Sequence, residues 1–179
     1  MKWFFGYGSL MWDGWEKDYD CRERVVANLN GYGRVFNKAS VRNWGTKERP
    51  GPTLNIARND GVVCTGIAFG FEDGEAVQAY LNDREGGFEF RTVDVTLQDG
   101  RAVSATTSLY RGKNLLSGHT TAGLVAMTLG AKGTDGRAVE YVLVIERQLK
   151  ELGIADAAVE HFARAVTAAI QAPTSVALK

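Results

Sequence analysis

The sequence predicts an α+β domain built on a mixed, mostly antiparallel β-sheet, closed or half closed, with flanking helices. Runs of alternating apolar residues fill much of the first two thirds of the chain, which is typical of strands. Turn signals at Asn59-Asp60-Gly61 and Asp99-Gly100 divide four of these runs into two hairpins. Apolar residues at three- and four-residue steps in the last third indicate helices. Because the strands come first, we expect the helices to pack around one sheet.

Six or so strands are expected. The first, Trp3–Tyr7, ends in a glycine-containing turn. The second, Glu23–Phe36, is expected to bend or bulge at residues 31–33, where two glycines flank a tyrosine. The polar segment Asn37–Pro52 ends in Pro-Gly-Pro and is predicted to be a long loop. The two hairpins supply the remaining strands, which are Thr53–Arg58, Val62–Phe71, Phe88–Leu97 and Arg101–Tyr110.

The helices are expected mainly late in the chain. Asp73 is expected to cap a short helix that runs into Gly86-Gly87, because a carboxylate can accept the first free N–H groups and glycine ends helices. Residues 1–172 are predicted to form a single domain and residues 173–179 a C-terminal tail. The other helices are predicted at Ser117–Leu129, Val139–Leu152 and Ala157–Ala172.

Composition excludes several classes of function. The 21 basic and 21 acidic residues balance, so no electrostatic reason favours nucleic acid or a membrane surface as partner. The apolar run at residues 3–5 is too short for a signal peptide, and no segment approaches the ~20 apolar residues of a membrane helix. Cys21 and Cys64 show no metal-ligand spacing. We therefore expect a protein of the reducing cytoplasm.

The most informative local feature is the turn Tyr7–Leu10, with the sequence Tyr-Gly-Ser-Leu. A sharp turn after a strand leaves backbone N–H groups unpaired, and small residues let a ligand approach them. A dinucleotide fingerprint would need a glycine where Met11 stands. A nucleophile elbow would need glycines at both positions two residues from Ser9, where Tyr7 and Met11 stand. We therefore expect this turn to hold an anion or a carbonyl oxygen.

Glu85 is the candidate acid–base residue. It ends the predicted short helix, immediately before two glycines. A carboxylate at a helix C-terminus faces the negative end of the helix dipole, and an apolar pocket would raise its pKa further. Such a side chain suits proton transfer near neutrality. The alternative is a solvated turn residue in an Asp-Arg-Glu surface cluster.

Other chemistry has weaker support. Ser9 as a nucleophile needs a base, and only His119 and His161 are available. No set of His, Cys and acidic residues has the spacing of a metal site, and no cofactor is implied. The basic side chains of the predicted loop are candidates for contacting an anion, or serve solubility alone; they are Arg42, Lys47 and Arg49.

Four stretches together resemble the γ-glutamylcyclotransferase superfamily and, within it, the ChaC-like branch. They occur in the family's order and span most of the chain. The first and third are the most specific, because they contain the turn at residues 7–10 and Glu85. The four stretches are Phe5–Trp12, Gly31–Phe36, Tyr80–Phe88 and Glu140–Val142.

The resemblance implies a γ-glutamylcyclotransferase-like barrel and a lyase reaction without cofactor or metal. The free α-amine of a γ-glutamyl group attacks its own γ-carbonyl, which gives 5-oxoproline and releases an amine or peptide. Glutathione is the expected substrate, and Cys-Gly the released peptide. Glu85 would take a proton from the ammonium and return it to the leaving nitrogen. The resemblance assigns substrate binding to Tyr7, Gly8, Ser9, Leu10, Tyr110 and Tyr141.

Departures from the family pattern leave the substrate open. The family commonly has Asn shortly before its Glu-Tyr pair and Tyr after its two glycines, where this chain has residues 137–139 (Arg-Ala-Val) and Phe88. It often has Pro-Gly-Arg where this chain has residues 50–52 (Pro-Gly-Pro). Other γ-glutamyl amino acids or amines are therefore alternative substrates. A non-catalytic binding module of the same fold is a further alternative, and the sequence gives no oligomeric state.

Overall fold

Five strands close into a barrel in the computed structural model, which describes residues 1–172. The strand order around the barrel is β1-β3-β2-β4-β5. All neighbours are antiparallel except β1 and β5, which pair in parallel through Trp3 and Ala105 and close the sheet. The strands are β1 (Lys2–Gly6), β2 (Glu23–Ser40), β3 (Gly51–Phe71), β4 (Glu89–Leu97) and β5 (Ala102–Leu109).

Helices flank the barrel, as the sequence predicts. Two 3-10 segments, Ser9–Met11 and Trp15–Tyr19, follow β1. Within residues 1–172, no helix is both long and apolar enough to cross a membrane. The four α-helices of this part of the chain are α1 (Glu75–Arg84), α2 (Thr121–Gly130), α3 (Ala138–Glu151) and α4 (Ala157–Gln171).

One apolar core joins the sheet to the helices. Phe69 and Phe71 of β3 are fully buried, and the indole of Trp15 packs edge-on against Phe69. On the other side, Phe36 of β2 stacks on Phe162 of α4 at a centroid distance of 4.4 Å. Burial of such rings supplies much of the stabilisation of a small domain. The core therefore fixes β2 close to its C-terminal end, where residues 38–40 line the candidate site.

The predicted hairpin at Asn59-Asp60-Gly61 is wrong. Residues 51–71 form one strand that pairs with β2 along its length. Tyr32 pairs with Arg58 and Asn30 with Val63, so the four residues 59–62 face Gly31 alone as a wide bulge. A turn signal and a bulge use the same residues, and the long partner β2 favours the bulge. The total is therefore five strands. The bend or bulge expected at residues 31–33 of β2 is present as a register shift between Asn30 and Tyr32, with the extra residues on β3.

The loop predicted at Asn37–Pro52 is too long at both ends. The strand β2 continues to Ser40, which pairs with Gly51, so that the connection covers only residues 41–50. Ladder hydrogen bonds override the polar composition of this stretch. This correction places Lys38 on a strand of the barrel rather than on a loop.

The helix and second-hairpin predictions are largely confirmed. The hairpin at Asp99-Gly100 forms as β4 and β5. Asp73 lies one residue before the cap position of α1, and its carboxylate accepts a hydrogen bond from the Glu75 backbone N–H over 2.9 Å. The helix α2 begins later than predicted, because the Thr120 hydroxyl caps it. The predicted tail, residues 173–179, lies outside the described residues.

Candidate active site

A cavity of about 700 Å³ opens at one end of the barrel, between the turn after β1, the end of β2 and the C-terminus of α1. All six predicted substrate-binding residues and Glu85 line it. Its size falls in the range of small-molecule sites, ~300–1,000 Å³. Residues that are 78 positions apart in sequence, Tyr7 and Glu85, therefore meet in one pocket.

The turn after β1 is compact because glycine precedes it at position 6. The backbone N–H of Met11 donates to the Gly8 carbonyl over 2.9 Å, and the Trp15 indole donates to the Leu10 carbonyl over 3.0 Å. A side chain at Gly6 would come within 3.1 Å of the Leu10 Cβ, so glycine permits the chain to fold back at this point. The first N–H groups of such a turn have no acceptor within it. The turn can therefore present donors to the cavity.

A buried arginine holds this turn in place. The guanidinium of Arg34, on β2, donates to the Tyr7 carbonyl over 2.8 Å and to the Thr65 carbonyl over 2.7 Å. It also pairs with the Asp156 carboxylate at 2.8 Å, and that carboxylate caps α4 through the Val159 N–H. Because each of its three nitrogens has a hydrogen-bond acceptor, the guanidinium fixes the turn relative to both the sheet and α4.

Glu85 caps the C-terminus of α1 and is mostly buried, with a side chain that is 16% exposed. Its backbone N–H donates to the Leu81 carbonyl over 2.8 Å, and Gly87 then turns the chain with a φ of 89°. Burial raises the pKa of the carboxyl above its usual range, and the charges of Arg84 and Lys38 oppose that shift. The carboxyl is thus a stronger proton acceptor than an exposed glutamate.

Arg84 connects Glu85 to the turn. Its Nε lies 3.6 Å from the Glu85 carboxylate, and one terminal nitrogen donates to the Ser9 hydroxyl oxygen over 3.2 Å. The other terminal nitrogen donates to the Tyr80 hydroxyl over 2.9 Å, and Asp13 pairs with the guanidinium. In the sequence this arginine suggests a surface charge cluster. Arg84 follows Tyr80 by four residues on the predicted helix, and this spacing could have indicated that the two side chains are in contact.

Three tyrosines form polar walls of the cavity. The Tyr141 hydroxyl accepts a hydrogen bond from the Leu54 N–H, and the Tyr110 hydroxyl accepts one from the Asn114 N–H, each over 3.0 Å. Burial raises the pKa of both Tyr7 and Tyr141 above the usual range of a phenol, and the nearby charge of Glu85 adds to it. These phenols therefore keep their protons and can donate them in hydrogen bonds.

Lys38 is a pocket residue that the sequence interpretation missed. Its ammonium lies 5.1 Å from the centre of the Phe88 ring and 5.5 Å from that of the Tyr110 ring. Burial lowers its pKa, while the negative charge of Glu85 acts in the opposite direction. Because the loop prediction extended over Lys38, its position on β2 beside the cavity went unnoticed.

The alternative chemistries find little geometric support. The Ser9 hydroxyl oxygen accepts from Arg84, and neither His119 nor His161 is among the described residues that line the cavity. Residues 1–172 hold no group of three or more His, Cys, Asp or Glu side chains arranged to bind a metal. Of the basic loop residues, Arg42 reaches the cavity wall, whereas Lys47 and Arg49 are exposed and lie outside it.

Comparison with known proteins identifies relatives. The ChaC-like protein family matches residues 2–169. γ-Glutamylcyclotransferase 2-1 of Arabidopsis thaliana is 33% identical over 95 residues, which cover 51% of this chain and only 43% of that protein. The glutathione-specific γ-glutamylcyclotransferase of Escherichia coli K12 is 29% identical over 161 residues, which cover 86% of this chain and 68% of that protein.

A solved structure confirms the expected barrel. The crystal structure of a yeast γ-glutamyl cyclotransferase specific to glutathione superposes with a TM-score of 0.80. The superposed residues cover 93% of this chain and 96% of the yeast chain, and the sequence identity is 18%. At this identity the likeness establishes the fold alone.

Proposed function

This chain belongs to the ChaC-like protein family, and we propose on that premise that it is a γ-glutamylcyclotransferase that converts glutathione to 5-oxoproline and Cys-Gly. The observation that carries the proposal is the mostly buried Glu85 carboxylate, which faces the same cavity as the turn Tyr7–Leu10. The activities named for the relatives from Arabidopsis thaliana and Escherichia coli support it.

Glu85 manages the proton in this mechanism. Its carboxylate takes a proton from the α-ammonium of the glutamyl group, and the amine nitrogen attacks the γ-carbonyl carbon to form the ring C–N bond. The protonated carboxyl then gives its proton to the leaving nitrogen as the original amide C–N bond breaks. The carboxylate next takes the second proton from the ring nitrogen and passes it to the released amine, which leaves as an ammonium. The raised pKa of Glu85 favours the first transfer, because a carboxylate that holds its proton more tightly is a better base. The carboxylate is regenerated, so the step needs no further reactant.

The turn after β1 stabilises the oxyanion that forms on the γ-carbonyl oxygen. Residues 8–10 line the cavity, so their backbone N–H groups are available to donate hydrogen bonds to this oxygen. The Ser9 oxygen accepts from Arg84, which leaves the hydroxyl hydrogen available to donate to the substrate. Ser9 thus acts as a hydrogen-bond donor and not as a nucleophile.

Positioning supplies much of the rate. The attack is intramolecular, so the enzyme needs only to hold the glutamyl chain folded with the amine near the carbonyl carbon. The protonated phenols of Tyr7 and Tyr141 form the wall behind this folded chain.

The thiols of Cys21 and Cys64 are both free, and we place the reaction in the reducing cytoplasm, where glutathione is the expected substrate.

The test is product analysis with the purified protein. We expect release of equimolar 5-oxoproline and Cys-Gly from glutathione. A panel of γ-glutamyl amino acids and amines serves as the comparison. Turnover of the panel without turnover of glutathione would contradict the glutathione assignment. Binding of these compounds with no 5-oxoproline from any of them would favour the non-catalytic module.

A further inference from the structure

The cavity contains two opposite charges that do not neutralise each other directly. In the described part of the chain, the Lys38 ammonium makes no ion pair, and Glu85 is the acidic group whose field acts on it. Glu85 instead has its 3.6 Å contact with Arg84. Burying a cation without an anionic partner costs free energy, so binding of an anion beside it is favoured.

Two aromatic rings define where the ammonium lies. Phe88 and Tyr110 pack edge to face at 5.3 Å, and the Lys38 ammonium lies within 5.5 Å of both ring centres. Phe88 is also hydrogen-bonded through its backbone N–H to the Glu85 carbonyl over 2.9 Å. Cation–π contacts hold the ammonium in position without consuming its N–H donors. Lys38 is therefore held on the Glu85 side of the cavity with its donors free.

The other cations around the cavity are less suited to bind an anion at this point. Arg84 commits its nitrogens to Tyr80, Ser9 and Asp13. Arg42 and Lys113 also line the cavity but are exposed, and an exposed charge contributes little to binding. Lys38 is the partly buried cation of the cavity whose donors remain uncommitted among the described residues.

We propose that Lys38 binds the free α-carboxylate of the substrate's glutamyl group and makes that carboxylate a specificity requirement. The inference rests on the proposed function, which places the α-ammonium at Glu85. The α-carboxylate is attached to the same carbon as that ammonium, so a cation near Glu85 meets it. Glu85 and Lys38 thus form a two-point site for an α-amino acid head group, with one charge opposite each of its charges.

The test compares three substrates by Cys-Gly or Cys-glycinamide release. The first is glutathione, the second carries a carboxamide in place of the glutamyl α-carboxylate, and the third carries it in place of the glycine carboxylate. We expect the wild type to prefer the first over the second by about 100-fold in kcat/KM, mainly through KM, since a desolvated charge pair is lost. The third should behave like glutathione.

Substitution of Lys38 should remove this preference. In Lys38→Met we expect kcat/KM for glutathione to fall about 100-fold while that for the α-carboxamide changes little. Lys38→Arg keeps the charge and should retain part of the preference. Lys47→Met, the same substitution at an exposed loop position outside the cavity, should leave kcat/KM unchanged for both substrates.

Three outcomes would overturn the inference. An equal fall for both substrates, with the acid limb of the pH profile displaced, would mean that Lys38 acts through Glu85. A wild type that discriminates against the glycine carboxamide, with that discrimination absent in Lys38→Met, would place Lys38 at the other end of the substrate. If Lys38→Met does not fold, a wild type that turns over glutathione and its α-carboxamide equally well would still refute the inference.

Failure of the proposed function is distinguishable from these results. A wild-type protein that releases no 5-oxoproline would contradict the function. In that case calorimetric titration of wild type and Lys38→Met with glutathione and its α-carboxamide still tests the carboxylate contact. Equal affinity of the wild type for the two compounds would refute it.

Discussion

The guanidinium of Arg84 donates a hydrogen bond to the Ser9 hydroxyl oxygen over 3.2 Å. The same guanidinium lies 3.6 Å from the Glu85 carboxylate. It therefore ties the C-terminus of α1, which carries the proposed proton acceptor, to the turn proposed to bind the oxyanion. The proposed cyclisation needs these two groups in a fixed relative position, because one acts on the amine and the other on the carbonyl oxygen of the same glutamyl group.

Arg84→Gln should lower activity and change its pH dependence. Loss of the bridge should reduce kcat/KM about 10- to 100-fold, because small displacements of aligned groups are costly. The positive charge of Arg84 opposes the rise in the pKa of Glu85. Its removal should raise that pKa further and move the acid limb of the kcat/KM profile to higher pH. Arg91→Gln, an exposed control, should leave the limb in place.

Ser9→Ala should reduce kcat more than it changes KM. We expect a loss of about 100-fold in kcat, the usual consequence of removing one donor to an oxyanion. Steady-state kinetics with glutathione measure it. Ser104→Ala, at an exposed position on β5, is the matched control. A rise in KM with unchanged kcat would assign Ser9 to ground-state binding instead.

Glu85→Gln should stabilise the fold at neutral and higher pH. The folded-state pKa of Glu85 lies above its unfolded value, so the ionised carboxylate carries a cost in the fold at any pH above that raised pKa. Below the unfolded pKa of about 4.3 both states are protonated and that cost is absent. We expect a gain on the order of 1 kcal/mol at pH 8, ~2–4 °C in Tm, that shrinks toward pH 4.

Thermal unfolding from pH 4 to 8 measures this gain. Glu72→Gln makes the same change at an exposed position, and its Tm should follow the wild type throughout. A Glu85→Gln variant less stable than the wild type at pH 8 would mean that the contact with Arg84 outweighs the cost of burying the charge.

Arg34→Met should be severely destabilising. It leaves the Asp156 carboxylate and the carbonyls of Tyr7 and Thr65 without their buried donor. Loss of one member of a buried ion pair costs about 3–5 kcal/mol. Urea denaturation measures the free energy of unfolding. Arg58→Met, which removes an exposed pairing with Asp60, should change it by less than about 1 kcal/mol.

The sequence predicts the site better where local signals and topology agree. Glu85 was identifiable because a helix stop signal, two glycines, follows it directly. Its burial was not, since the barrel end that covers it comes from β2 and the turn after β1, far away in sequence. Composition assigns Lys38 to a loop, and only pairing with Thr53 reveals its place on a strand.

The Asn59-Asp60-Gly61 error has the same origin. These residues favour a tight turn locally, but they do not specify which strand lies beside them. Once β2 pairs on both sides of the tripeptide, the extra residues can only bulge outward. Tertiary pairing therefore decides between a hairpin and a bulge, and the local turn signal does not contain that information.

In the proposed mechanism Glu85 moves the protons of the cyclisation. The most direct measurement is 5-oxoproline release from glutathione by Glu85→Gln, which keeps the size of the side chain but cannot accept the proton. We expect kcat to fall by at least about 1,000-fold, with the circular dichroism spectrum unchanged, because a general base contributes up to ~10⁴-fold and the same group also protonates the leaving nitrogen. A folded Glu85→Gln protein that retains kcat within a few fold of the wild type would contradict the claim.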